Sequence, residues 1–177
     1  MNAILASAVV SLALALCAVG EAGRLVTHHD LGATSFTSEI RSMGHARGTF
    51  DVTVTPQTMT HAASAGPRLG RLSLDKTYHG GLEATAVGEM LAGGTSEKTS
   101  AGYVAMEEVR GTLNGRRGSF LLQHSGTLNR GAPSLTVTVV PDSGTEELIG
   151  LSGSLTIIIE GKKHSYEFEF SLPGAPQ

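Results

Sequence analysis

Residues 102–128 read GYVAMEEVRGTLNGRRGSFLLQHSGTL, and this stretch decides the fold. It divides into two strand-like arms that meet at Asn114-Gly115. An Asn-Gly pair supplies the two positive φ angles of a type I′ turn, whose twist matches that of the strands on either side. Each arm is longer than the usual strand of about 5–6 residues. Long paired arms favour the wall of a barrel over a small open sheet.

Apolar and polar residues also alternate before and after this hairpin, as is typical of half-buried strands. The alternation predicts further strands at 46–55, 69–78, 82–91, 134–140, 153–160 and 163–171. No stretch after residue 43 has sustained helical periodicity. The sequence therefore predicts an all-β chain that forms a single antiparallel up-and-down β-barrel of about eight strands, with a β-sandwich as the alternative.

Composition narrows the class of protein. The chain has 177 residues, of which 40% are hydrophobic, enough for one domain with a buried core. The net charge of −3 is dispersed, which argues against a nucleic-acid partner. Cys17 is the single cysteine, so no intramolecular disulfide and no Cys-based zinc cluster can form. The chain has no dinucleotide or phosphate-loop motif, and we expect no cofactor.

The first residues form an extra apolar segment ahead of the barrel. Residues 1–22 resemble a signal peptide, although no Lys or Arg precedes the apolar run, and 23–44 read as a linker. The run is too short for a confident membrane span, so no stable membrane insertion of the mature domain is expected. Two alternatives stay open: a true start at Met43, or an ordered or membrane-associated helix. Export predicts a secreted or periplasmic protein, whereas a start at Met43 predicts a cytoplasmic one.

Five runs carry a resemblance to a known family: GTFDVTVTPQ (48–57), GYVAME (102–107), GSFLLQH (118–124), VVPDSGTEELIG (139–150) and HSYEFEF (164–170). Together they resemble the bacterial family called domain of unknown function 3224, over residues 45–171. That family resembles the eight-stranded allene oxide cyclase barrel, whose wider group acts on small apolar molecules by cyclisation or isomerisation. The resemblance implies a lumen, but it implies no catalytic residues. Residues 172–177 are expected to form a C-terminal tail.

Polar residues on the inward face of the central hairpin are the candidates for chemistry. Glu107 alternates in step with Tyr103 and Val109, and His124 alternates in step with Phe120 and Leu122. Counting outward from the turn places Glu107 opposite Phe120 or Leu122, with His124 on the diagonal or one step further. We therefore predict catalytic roles for Glu107, His124 and Tyr103.

The predicted roles follow from burial. A buried Glu107 would have a pKa raised by desolvation and could exchange a proton, with His124 in the complementary role and Tyr103 orienting a carbonyl or hydroxyl. The alternative is that Glu107 bonds to the backbone or to an Arg, and that His124 is a satisfied core histidine. On the catalytic reading, Glu107→Gln abolishes turnover and leaves the melting curve nearly unchanged. The predicted ligand-binding residues are Phe120, Leu122, Gln123 and Tyr166.

Three other features of the sequence bear on function. The Gly-rich loop 141–150 is either a lid over the lumen or a structural crossover between strands. His28-His29-Asp30 sits in the predicted linker and is not expected to form a metal site. Ser119 and Ser125 flank His124 without a Gly-x-Ser-x-Gly elbow, which argues against hydrolase chemistry.

Two functions compete. The first is a barrel that holds a small apolar molecule in its lumen, either as a bound ligand or as the substrate of a cofactor-free isomerase or cyclase. The second is a non-enzymatic structural barrel that self-associates as a homo-oligomer. Apolar residues on both faces of single strands favour the second, as in Phe120-Leu121-Leu122, Val139-Val140 and Ile157-Ile158-Ile159.

Overall fold

The computed structural model describes residues 41–59 and 68–173. They form eight strands that pair in sequence order around one closed antiparallel barrel, β1 meeting β8. The strands are β1 Arg41–Gln57, β2 Arg68–Gly80, β3 Leu82–Gly94, β4 Ala101–Leu113, β5 Arg116–Asn129, β6 Ala132–Val139, β7 Ser152–Glu160 and β8 Lys163–Pro173. The predicted eight-stranded barrel is confirmed, and the sandwich is excluded.

The central hairpin has the predicted turn and register. Asn114 and Gly115 both have positive φ angles, 47° and 83°, as a type I′ turn requires. Leu113 pairs with Arg116, and the ladder continues without a break to Ala101 opposite Leu128.

Two apolar clusters occupy the barrel interior. The lower cluster lies toward the turns at 80–81 and 114–115, and its largest fully buried members include Tyr78, Phe120, Tyr166 and Phe168. The upper cluster lies at the other end, on β2, β3 and β4, and consists of Leu72, Leu74, Met90, Ala92 and Ala105. Val54 and Tyr103 pack against the upper cluster and are only half-buried. The lower cluster is rich in aromatic rings, whereas the buried members of the upper cluster are leucine, methionine and alanine.

The loop between β6 and β7 is bound to β5 along the part of that strand that β6 does not reach. Leu121 N–H donates to Ser143 Oγ, and Ser119 N–H donates to Thr145 Oγ1. A 3-10 turn, Glu146–Leu148, then inserts Leu148 into the lower cluster. The loop thus supplies the hydrogen bonds of a missing strand and caps the lower end of the barrel. These contacts are those of a structural crossover.

One seam of the barrel is weakly paired. β6 and β7 share a single residue pair, Thr138 with Ser154, whereas β5 and β6 pair from Leu122 to Asn129. Beyond this pair, the buried side chains of Val137, Leu155 and Ile157 lie beside the seam.

The barrel strands extend slightly beyond the predicted limits. β1 begins at Arg41, and β8 ends at Pro173, because Arg41 pairs with Pro173 and its guanidinium donates to the carbonyl oxygen of Gly150. The predicted signal peptide, most of the predicted linker and the His28-His29-Asp30 motif lie outside the described residues. In the described ranges, no helix is both long and apolar enough to cross a lipid bilayer.

Candidate functional site

Three charged or titratable side chains meet inside the barrel: Lys76 on β2, Glu107 on β4 and His124 on β5. All three are buried, with exposed fractions of 7%, 1% and 3%. Lys76 Nζ donates a hydrogen bond to Glu107 Oε2 over 2.6 Å, and the Tyr78 hydroxyl donates to Oε1 over 2.7 Å. His124 Nε2 lies 3.1 Å from Glu107 Oε2. We call Lys76, Glu107 and His124 the polar layer.

Strand alternation explains how the polar layer forms. Along β2 the inward residues are Leu74, Lys76 and Tyr78, and the first belongs to the upper cluster and the last to the lower. Glu107 occupies the same level on β4, between Ala105 and Val109. The polar layer therefore separates the two apolar clusters.

The register predicted for Glu107 and His124 is confirmed. Glu107 pairs with Leu122, and His124 pairs with Ala105, so that Glu107 and His124 are diagonal neighbours across the β4–β5 ladder. Diagonal positions on one face of a sheet are within reach of long side chains.

Glu107 is ionised at neutral pH. Burial raises its pKa, but the charge of Lys76 and the nearby imidazole of His124 outweigh that effect and lower the pKa from 4.5 to about 2. The expected raised pKa of Glu107 is therefore wrong, because the sequence prediction included desolvation and omitted the lysine. A carboxylate with so low a pKa is a poor proton acceptor near pH 7.

His124 has the proton-transfer properties that Glu107 lacks. Burial lowers the pKa of His124 below 6.5, the nearby Lys76 charge lowers it further, and Glu107 opposes both. The ring is therefore neutral at pH 7. Its Nε2 atom lies 3.1 Å from Glu107 Oε2 but is poorly aligned with it, so Glu107 satisfies Nε2 only in part. An unpartnered polar atom at this depth costs about 1–3 kcal/mol unless a further group binds it.

Two tyrosines flank the polar layer. Burial, reinforced by the negative charge of Glu107, raises the pKa of Tyr78 well above 10 and that of Tyr103 to about 12. Both phenols are consequently protonated at neutral pH and can donate hydrogen bonds. Tyr78 already donates to Glu107, whereas Tyr103 lies higher, with its ring over Gly126.

The other predicted site residues are divided between the two faces of the wall. Phe120 and Leu122 point inward but are packed in the lower cluster. Tyr166 also belongs to that cluster, and its hydroxyl accepts a hydrogen bond from Leu82 N–H. Gln123 is exposed on the outer face, because it lies one residue out of step with Leu122 and His124. Gln123 therefore does not face the lumen, and the predicted ligand-binding role does not fit its position.

The sequence analysis missed Lys76 and Tyr78 as partners of Glu107. The signal was available: Lys76 interrupts an otherwise apolar inward series at Leu72, Leu74 and Tyr78. Lysine is almost never fully buried without a partner, so a lysine at an inward position predicts a buried acid. Within the described part of the chain, no group of three or more His, Cys, Asp or Glu side chains is arranged to hold a metal ion.

The chain is similar to known proteins in both sequence and fold. Residues 46–170 match a family described as "Protein of unknown function (DUF3224)". A crystal structure of a protein of unknown function from that family, from Shewanella oneidensis MR-1, is 48% identical and superposes with a TM-score of 0.71. The match covers 76% of this chain and all of the Shewanella chain. No curated protein matches the sequence.

Proposed function

The chain belongs to the DUF3224 family, whose name supplies no activity, and we propose from its interior that the barrel binds one small apolar molecule above the polar layer. The observation that carries this proposal is the unpartnered Nε2 atom of His124, 3% exposed and adjacent to the upper cluster. Buried polar atoms are nearly always hydrogen-bonded, and an exception points to a ligand or a bound water.

The upper cluster supports this proposal. Two of its five buried residues are alanines, and its flanking residues Val54 and Tyr103 are half-buried. By contrast, the lower cluster contains six aromatic rings: Phe50, Tyr78, Phe120, Tyr166, Phe168 and Phe170. We therefore place the proposed ligand site in the upper cluster and not in the lower one. Most small-molecule sites have this form, an apolar wall with a few convergent polar groups.

The polar layer also has the groups for cofactor-free isomerisation, which the resemblance to the allene oxide cyclase barrel favours. In this mechanism the neutral His124 imidazole takes a proton from a carbon next to a carbonyl and returns it to another carbon of the same molecule. No atom is gained or lost, and no electron acceptor is needed. The Glu107 carboxylate stabilises the imidazolium during the transfer, and Lys76 keeps Glu107 ionised.

Binding can be tested without knowing the natural ligand. N-phenyl-1-naphthylamine, an uncharged apolar dye, is expected to bind the purified protein with one-to-one stoichiometry. Ala105→Leu and Ala92→Val, which fill the upper cluster, should each weaken binding at least tenfold. Val104→Thr, on the outer face of β4, is the matched control and should leave binding unchanged. Loss of binding in the Val104 variant alone would place the dye outside the barrel and contradict the proposal.

Self-association is the second candidate, and one feature of the outer wall favours it. Leu91 and Val104 are direct cross-strand partners on β3 and β4, and they are 51% and 53% exposed. Val87 and Met106 extend the same face, at 57% and 44% exposed. Leu121 and Ile158, whose outward positions suggested an interface from the sequence, are already half-buried within one chain. We therefore place the candidate interface on β3 and β4.

Native mass spectrometry tests this second candidate. A homo-oligomer should dissociate when Val104→Lys is introduced, because a lysine would be desolvated in an apolar contact. Thr136→Lys, on the exposed face of β6, is the control and should leave the assembly intact. A monomer at micromolar concentration in the wild type would remove this candidate.

A further inference from the structure

The charge of the polar layer restricts which molecules can bind there. Lys76 and Glu107 form a buried ion pair, and the adjacent His124 is neutral at pH 7. Lys76, Glu107, Ser119 and His124 are the buried polar or charged residues of the described chain. Ser119 is bonded to Thr145 in the lower loop. The interior therefore holds one positive and one negative charge, which already compensate each other.

A ligand carboxylate would disturb this balance. Its attraction to Lys76 would be opposed by Glu107, whose Oε2 atom lies 2.6 Å from the ammonium nitrogen. The third nearby group, His124, has no charge with which to compensate the new anion. Burying an ion without a partner costs several kcal/mol. An uncharged ligand avoids this cost entirely.

The hydrogen-bonding groups indicate what the uncharged ligand must carry. Both oxygens of Glu107 already accept hydrogen bonds, one from Lys76 and the other from Tyr78. Lys76 also donates to the Tyr78 hydroxyl over 3.3 Å. His124 Nε2 is a fully buried side-chain atom of the polar layer that makes no hydrogen bond of good geometry. A single oxygen from a ligand would satisfy it, whether a carbonyl accepts from Nε2–H or a hydroxyl donates to the unprotonated nitrogen.

We infer that the natural ligand is an uncharged apolar molecule with one carbonyl or hydroxyl oxygen, which binds His124 Nε2, and that the barrel discriminates against carboxylic acids of the same shape. This inference rests on the proposed ligand-binding function and adds the chemical class of the ligand. It assigns His124 the role of recognising that oxygen, in addition to any proton transfer.

Isothermal titration calorimetry at pH 8 with three probes of equal chain length tests whether the barrel prefers an uncharged oxygen to a carboxylate or to no oxygen. 2-Decanone carries the carbonyl, nonanoate replaces its terminal methyl by a charged oxygen, and decane has no oxygen. The ketone should bind at least tenfold more tightly than either of the others. In His124→Leu the preference for ketone over decane should fall by roughly tenfold, the effect of losing one buried hydrogen bond. His124→Gln, which retains a polar group, should restore part of that preference.

The possible results distinguish the inference from the function on which it rests. Tighter binding of nonanoate than of 2-decanone would overturn the inference and leave lumen binding in place. Equal binding of ketone and decane in the wild type would also overturn it, because His124 would then recognise nothing. If neither the probes nor the uncharged dye bound at all, the proposed function would fail as well.

Discussion

Lys76 and Glu107 form a buried ion pair between two strands that are not neighbours. β3 runs between β2 and β4, and Gly88 of β3 pairs directly with both Leu74 and Glu107. The Lys76 ammonium is 2.6 Å from the Glu107 carboxylate and 5.2 Å from the centre of the Phe50 ring. Lys76 thus connects β2 to β4 and to β1 on the inside of the barrel. Each charge of the ion pair is compensated only while the other is present.

Removing Lys76 alone should therefore be severely destabilising. Lys76→Met leaves the Glu107 carboxylate buried without a cation, and breaking such a pair from one side costs about 3–5 kcal/mol. The double variant Lys76→Met/Glu107→Leu removes both charges and should recover most of that loss. The free energy of unfolding from urea titration at pH 7 measures both effects. A double variant no more stable than Lys76→Met would show that the pair itself, and not the unpaired charge, stabilises the barrel.

The same reasoning changes the expectation for Glu107→Gln. The sequence prediction had this variant lose turnover with a nearly unchanged melting curve. The structure instead predicts a lower melting temperature, because the amide would leave the Lys76 ammonium uncompensated at 7% exposure. Circular dichroism melts of the variant decide the question, since an unchanged curve would contradict the structural role that we assign to the ion pair.

Gly88 is predicted to be essential for the geometry of the polar layer. A Cβ atom at this position would collide with the backbone carbonyl of Met106 and with the Cα of Glu107, neither of which is a flexible group. Gly88→Ala should therefore displace Glu107 and cost about 1–3 kcal/mol. Gly93→Ala is the matched control on the same strand, because its Cβ would meet only Leu69 Cδ2, at 3.7 Å, and Gly102 O, at 4.0 Å. Equal unfolding midpoints for the two variants would refute the prediction.

The sequence was sufficient to predict the fold because alternation and turn chemistry are local signals. Asn114-Gly115 determined one turn, and counting from it gave Phe120 or Leu122 as the partner of Glu107, of which Leu122 is the one observed. The pairing of Lys76 with Glu107 could not be counted in this way, because the two residues are on strands separated by β3. Their contact depends on how strongly the barrel curves, which no turn or alternation in the sequence encodes. The raised pKa expected for Glu107 was wrong because the inward position of Lys76, which signals a buried acid partner, was left out of the prediction.

The loop 141–150 illustrates a second limit. Its glycines and short polar residues were compatible with either a lid or a crossover, since both need tight turns. What distinguishes the two is the length of β6, which ends at Val139 and leaves part of β5 without a partner strand. Ser143 and Thr145 then bond to β5. The length of β6 differs from the prediction by only a few residues. Because β6 ends at Val139, the loop takes the place of a partner strand for β5, which is the role of a crossover.

Acid should destabilise the wild type through Glu107. Its pKa is near 4.5 in the unfolded chain and about 2 in the folded one, so the stability it contributes is fully present above pH 4.5 and is lost as the pH falls toward 2. The loss amounts to about 2 kcal/mol by pH 3. His124 acts in the same direction, since its folded pKa is below 6.5.

The double variant Lys76→Met/Glu107→Leu provides the control for this pH dependence. It retains every exposed carboxylate, so any acid sensitivity that it shares with the wild type comes from elsewhere. The unfolding free energy of the wild type minus that of the double variant should fall by about 2 kcal/mol between pH 7 and pH 3. Parallel profiles would mean that Glu107 has an ordinary pKa in the folded barrel.

The seam between β6 and β7 should be the first part of the wall to open. Only Thr138 and Ser154 are paired there, so the seam-facing amides of 132–137 and 155–159 lack the ladder that protects the other strands. Hydrogen exchange measured by NMR should be at least about 100-fold faster for these amides than for those between β3 and β4.

The matched test is a Thr136→Cys/Thr156→Cys disulfide, placed two residues from the single pair on each strand, in a Cys17→Ser background. If the seam opens by separation of the two strands, the seam amides of the oxidised disulfide variant should exchange more slowly than those of the wild type. The seam amides of the reduced variant should exchange as fast as those of the wild type. Equal protection of seam and wall in the wild type would show that buried side chains alone hold β6 to β7.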